Sequence, residues 1–233
     1  MSIIPRIEDY DPTAKPQALL LKDAHLLLEH PYLPLETGWA VAPDGMHHVA
    51  VSTYMRHCTG AMFDWWFGFI HKTEHYKLWH PRDHVFSDWD GPRENSSTYI
   101  GGHHLVHEYI GEHLSKLKIS FISPHEFFGL DWNESLKQAG YSTAVCARTG
   151  IWNDDGTATY VGHMIHLIKD EPDGCRLRSR FWAGDQDGLT DANVRTTSVP
   201  PFFGPGLVKH CTEEMAILAT RLPAMYADFR QKE

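Results

Sequence analysis

The sequence predicts an α+β fold: an antiparallel sheet of about six strands followed by one long C-terminal helix. Two observations predict it. From Ser97 to Gly184, short β-branched or aromatic runs alternate with turns rich in Gly, Pro, Asn and Asp. After Pro205-Gly206, apolar Leu207, Val208, Met215, Leu218 and Leu222 recur near helical spacing towards Arg230. A meander and a single long helix bury both apolar faces when the sheet curves around the helix. That arrangement encloses a cavity suited to an apolar ligand.

Taken in order, Ala18 to Glu29 (ALLLKDAHLLLE) reads as an amphipathic helix. Cys58 to Ile70, with its Trp65–Trp66 pair, reads as an aromatic-rich helix or buried segment. The strand candidates are STYIGG, HLVHEYIG, KLKISFI, STAVCART, TATYVGHMIHLIK and CRLRSRFWAG. No internal repeat, low-complexity tract or Ser/Gly linker divides the chain. One folded unit is therefore expected, with residues 1–60 as an N-terminal extension packed on a main domain of residues 61–233.

Bulk properties narrow the function classes. With 233 residues, 42% hydrophobic and 22% charged, the chain is an ordinary globular protein with enough length to bury a core. A formal charge of -9 disfavours nucleic acid as a partner, because phosphate backbones are bound by clustered Lys and Arg. Cys58, Cys146, Cys175 and Cys211 are far apart and form no CxxC pair, so neither a disulfide framework nor a thiolate metal site is indicated. The N-terminus carries no basic start followed by an apolar stretch, and no apolar run is long enough to cross a bilayer. A cytoplasmic protein without a membrane partner is expected.

The chemistry-bearing feature is histidine, with 17 against 21 lysines and arginines combined. Imidazole is the commonest metal ligand and titrates near neutral pH. In the last helix His210 and Glu214 stand four apart, on one face, one turn from each other. His104 and Glu108 repeat the H-x-x-x-E spacing on a strand candidate, where even spacing again gives one face. Ahead of both motifs HYKLWHPRDH, His75 to His84, crowds three histidines around a proline. Pro81 disfavours helix through His80, leaving His84 extended or in a turn from which it can reach inward. Imidazole with carboxylate and no thiolate suits zinc or another divalent transition metal. Spacing alone fits unrelated surface groups equally well. Arg178-Ser179-Arg180 offers an anion clamp, but such a run is more often a solvated strand face paired with nearby acids.

YKLWHP with His84, the HHLVHEYIG strand, GCRLRSRFWAG and the His210/Glu214 helix together resemble the diacetylphloroglucinol hydrolase family, which includes phloretin hydrolases. The resemblance runs from about Phe63 to Ala216, with the blocks in the same order. It implies a helix-grip fold similar to plant Bet v 1 proteins, a curved sheet around the C-terminal helix with a short N-terminal helical region. It further implies a Zn2+ cofactor held by His84, Glu108, His210 and Glu214, with Glu108 preferred to Glu112 for its mid-strand position. Tyr76 matches a phenol-binding tyrosine, and His166 matches an active-site histidine better than His163 does. Three residues apart on a strand, His163 and His166 have opposite parity, so only one should face a shared cavity. Ser87 stands where the family carries an asparagine.

The expected activity is metal-assisted C–C hydrolysis of an acylphenol, giving a phenol and a carboxylic acid. His166 and Tyr76 are the expected catalytic groups, with Tyr76, Ser87 and His163 at the substrate. The partner is that small molecule, with a second copy of the chain as a possible homodimer. Two rivals remain: a non-catalytic carrier of apolar ligands, for which helix-grip cavities are suited, and a cupin-type metal oxygenase, suggested loosely by GGHHLVHE.

Overall fold

The computed structural model describes residues 17–93 and 98–230. Eight strands form one antiparallel sheet: β1 (Gly38–Val41), β2 (His47–Arg56), β3 (His84–Trp89), β4 (His103–Ile110), β5 (His113–Ile122), β6 (Thr143–Trp152), β7 (Ala158–Glu171) and β8 (Gly174–Ala183), in the order β1-β2-β8-β7-β6-β5-β4-β3. The helices are α1 (Leu26–Glu29), α2 (Gly60–Phe69), α3 (Thr73–Trp79), α4 (His125–Phe128), α5 (Trp132–Gln138), α6 (Ala192–Ser198) and the 28-residue α7 (Phe203–Arg230). The expected α+β arrangement, a sheet gripping a long C-terminal helix, is the one observed. No described helix is long and apolar enough to cross a membrane.

Strand parity divides the core into two layers. Val145, Ala147, Met164, Ile168 and Leu177 face α2 and α7, burying Phe63, Trp66, Met215, Leu218 and Leu222. Their alternates Cys146, Ile165, Leu167 and Trp182 face outwards, where Leu19, Ala24, Leu27 and Tyr141 cover them. The central strands are thus apolar on both faces, as sheets covered on both sides require.

Three expectations need correction. The sheet has eight strands rather than about six: β1, β2 and β3 were unforeseen, while Thr98–Gly102 of STYIGG is turn and bend, Ser97 lying outside the described residues. β1 is four residues long, and the histidines of β2 and β3 interrupt the apolar alternation that marks a strand. Residues 38–56, assigned to an extension, are two strands of the sheet itself, β2 pairing with β8 along its whole length. The N-terminal helix shrinks to a 3-10 turn, Leu21–Asp23, and the single turn of α1. Its leucines follow the outer face of the sheet, so tertiary packing rather than helical period sets their spacing.

α7 begins before Pro205-Gly206, which is possible because the first turn of a helix needs no N–H from Pro205. At Gly204 an added Cβ would stand 2.7 Å from the Trp39 ring, so glycine lets the first turn lie directly on β1. Pro223 inside α7 frees the Ala219 carbonyl four residues back, and the Cys58 thiol donates to it at 3.6 Å.

Candidate metal centre

His84 opens β3, where the chain leaves α3. Its Nδ1 donates to the Tyr76 carbonyl at 3.0 Å. A carbonyl only accepts, so the proton of the neutral ring sits on Nδ1 and Nε2 presents a lone pair. The ring lies flat on Tyr76, centroids 3.7 Å apart, and meets the edge of Trp79 at 5.2 Å. Directly opposite His84 in the sheet register is Glu108 of β4. His210 and Glu214 descend onto the same point from α7, whose backbone is fixed there by Trp79 Nε1 donating to the Glu214 carbonyl at 3.1 Å.

The four side chains converge without satisfying one another. His84 Nε2 is 3.5 Å from Glu214 Oε2 and 3.9 Å from Glu108 Oε2, and His210 Nε2 is 3.9 Å from both carboxylates. These separations are too long for hydrogen bonds. Both Nε2 atoms are buried and without a hydrogen-bond partner. Two ligand atoms each about 2.1 Å from a tetrahedral zinc stand about 3.4 Å apart, slightly closer than these separations; the ligand atoms of His84, Glu108 and His210 lie within 4.8 Å of one another, with Glu214 beside the two histidines. Burial pushes the Glu214 carboxyl up to about 8, Glu108 adding to the effect against the opposing pull of His210. A divalent cation would meet the buried Glu214 carboxylate, the half-buried Glu108 carboxylate and two unpartnered imidazole lone pairs at once, so the donor set fits a metal.

Glu108, His210, Glu214 and Tyr76 border a cavity of about 210 Å³, walled mainly by apolar groups such as Val106, Leu117, Phe121 and Phe181. The Tyr76 hydroxyl donates a short hydrogen bond to Glu108 Oε2. Burial, then the charge of Glu108, drives the phenol well above its ordinary range, so it stays protonated. His166 faces the same cavity from β7, among Phe63, Phe67 and Phe181, with Nδ1 2.8 Å from Ser179 Oγ. Complete burial pushes its pKa down to about 3, leaving it neutral at physiological pH.

Two expected substrate contacts are not brought to the centre. Ser87 is absent from the cavity wall; its hydroxyl is 2.9 Å from His104 Nε2 and supports that ring, which does line the cavity. His163 borders the cavity, yet its ring stands edge-on to Phe127 of the outer layer, with Nδ1 3.3 Å from Asp185. Opposite parity thus turns the two β7 histidines apart. The alternative ligand Glu112 is exposed in the β4–β5 hairpin turn. Two residues of the centre were unassigned by sequence reasoning. His104 carried a signal, its even spacing from Glu108; Asp83, buried beside His210, carried none beyond adjacency to His84.

The sequence model of the DAPG hydrolase PhiG domain matches residues 19–227. The chain belongs to that family. Among its members, the phloretin hydrolase of Eubacterium ramulus is 32% identical over 206 residues, covering 82% of this chain and 71% of that protein. A 2,4-diacetylphloroglucinol hydrolase of Pseudomonas protegens is 31% identical over 229 residues, covering 90% and 73%. Of solved structures, the major latex-like protein 151 of Panax ginseng aligns with a TM-score of 0.48 at 8% identity, over 76% of this chain and 97% of its own.

Proposed function

We propose that this family member is a metal-dependent hydrolase, with zinc as its ion, that adds water across the carbon–carbon bond joining an acyl group to a polyhydroxylated aromatic ring. The products are a carboxylic acid and the free phenol. The observation that carries the reading is the convergence of His84, Glu108, His210 and Glu214 at the edge of an apolar cavity, with the buried Nε2 atoms of both histidines unpartnered. When bound, a divalent ion supplies a hydrolytic water at neutral pH and polarises the carbonyl under attack.

The chain's own residues do the rest. Apolar walls from β4, β5 and β8 hold the ring and exclude bulk water. Tyr76, already bonded to Glu108, is placed to orient a ring hydroxyl beside the carbonyl. Carbon leaves as a stabilised anion only when the ring can take up a proton in its keto form, so hydroxyl placement matters to the bond that breaks. His166 was expected to deliver that proton as a general acid. With its pKa held near 3 by burial it carries no transferable charge at neutral pH. Its contacts support a hydrogen-bonding role, the imidazole fixed by Ser179 at the cavity wall.

The test is to incubate the purified protein with monoacetylphloroglucinol in oxygen-18 water while measuring bound metal. The expected result is about one divalent ion per chain, solvent oxygen in the released acid and none introduced into the phenol by cleavage. Label arriving from dioxygen would instead identify the oxygenase rival, and tight binding without products would identify the carrier.

A further inference from the structure

Asp83 precedes the ligand His84 in the chain but serves a different side of the centre. Its Oδ2 lies 3.7 Å from His210 Nδ1 and 3.6 Å from His80 Nε2, and all three side chains are more than nine-tenths buried. The backbone N–H of Asp83 donates to His80 Nδ1 at 3.0 Å. A ring nitrogen that accepts carries no hydrogen, so the proton of neutral His80 is on Nε2, facing the Asp83 carboxylate. His80 and His210 stack on each other, centroids 5.7 Å apart.

His80, Asp83 and Glu213 also converge closely enough to suggest a second cation site. The proton placement argues otherwise. The His80 nitrogen turned towards the carboxylates is a donor, and Asp83 is already gripped through both oxygens by Arg82, at 2.6 Å from Nε and 3.2 Å from Nη2. Arg82 in turn reaches Glu213 on α7 at 3.2 Å. The group is a proton-bearing brace that ties the α3–β3 turn to α7.

We propose that Asp83 is a positioning residue for His210. At 3.7 Å from Nδ1 its carboxylate makes no hydrogen bond and acts through its charge, which is held in place by Arg82; that charge favours the tautomer with hydrogen on Nδ1 and leaves the Nε2 lone pair directed at Glu108 and Glu214. His84 achieves the same through the Tyr76 carbonyl, so the two imidazole ligands are oriented by unlike devices, one backbone and one carboxylate. Carboxylates behind ligand histidines fix ring orientation and raise ligand basicity. The inference rests on the metal reading above only for its consequence; the tautomer itself is a property of the metal-free chain.

The experiment compares wild type with Asp83→Asn and Asp83→Glu. In metal-free protein with nitrogen-15-labelled histidine, the His210 ring, assigned with His210→Gln, should report hydrogen on Nδ1 in wild type and in Asp83→Glu. A mixture of tautomers is expected in Asp83→Asn. Titration with cobalt(II) against a competing chelator should then show affinity about 10- to 100-fold weaker for Asp83→Asn, recovered in Asp83→Glu. Circular dichroism on each variant confirms that the sheet is intact; if Asp83→Asn does not fold, Asp83→Glu against the milder His80→Gln takes its place. A His210 tautomer unmoved by loss of the carboxylate overturns the proposal. Wild type that binds no cobalt defeats the metal reading instead, and the tautomer measurement alone then decides on Asp83.

Discussion

At Tyr76 one side chain meets two of the proposed ligands at once: its ring lies flat on His84 and its hydroxyl donates to Glu108. Replacing it with phenylalanine keeps the stacking and removes the hydroxyl. Tyr76→Phe is therefore expected to keep its metal and to lose about a hundredfold in single-turnover rate on an acylphloroglucinol, the scale of a misplaced reactant. Elemental analysis alongside rapid-quench kinetics checks this; loss of metal together with rate would instead make the tyrosine part of the ligand scaffold. The residue scale is also where the sequence was most and least readable. Even spacing put His104 and Glu108 on one strand face, and helical spacing put His210 and Glu214 on one helix face, both as found. Choosing Glu108 over Glu112 needed the end of the strand, which Gly111 marks with a positive φ of 66° in the hairpin. The tie of Ser87 to His104 had no such signal, because His104 belongs to a neighbouring strand and side-chain pairing across a sheet has no local signature.

Among elements, the segment before β1 is held to the back of the sheet by charge as well as by leucines. Arg178 and Arg180 on β8 both reach Glu36, at 2.7 Å each, and Arg178 further donates to the Leu27 and His30 carbonyls and to Tyr141 Oη. The Arg-Ser-Arg run is thus neither an open anion clamp nor a solvated face; its anion is internal, and Ser179 between the arginines points to the cavity side to hold His166. Burial acts to raise the Glu36 carboxyl, but the Arg178 hydrogen bond and the charges of Arg180 and Arg178 outweigh it and hold the group below its usual 4.5. A depressed acid stabilises the fold above its unfolded value, and that contribution disappears as pH falls through the folded one. Glu36→Gln is expected to cost about 3 kcal/mol at pH 7, the low end for a broken buried pair because Glu36 keeps a water-facing edge. The gap to wild type should narrow at pH 3. Urea denaturation at both pH values measures it, and a gap that stays constant would show the clamp to be pH-indifferent packing.

Across the whole molecule, the division of labour between sheet and helix sets what the cavity can admit. β3 and β4 carry His84 and Glu108, α7 carries His210 and Glu214, and the space between them is closed by side chains of strands packed on both faces. Such walls yield little. At about 210 Å³ the cavity lies below the roughly 300–1,000 Å³ common for drug-sized ligands. The part of the wall outside the sheet that leads into α7 is Pro200, Phe202 and Phe203, where Phe202 stacks on His113 at 3.7 Å. A single-ring acylphenol should therefore fit as the structure stands, whereas a two-ring acylphenol such as phloretin must displace the Phe202 segment. The expected outcome is a kcat/KM for monoacetylphloroglucinol above that for phloretin by about tenfold or more, the scale on which an ill-fitting apolar pocket discriminates. Phe202→Ala should shrink the ratio by raising the phloretin value and leaving the smaller substrate nearly unchanged. Equal kcat/KM values in wild type would mean that the strands themselves give way, and that the cavity is set by the ligand rather than by the grip of the sheet on α7.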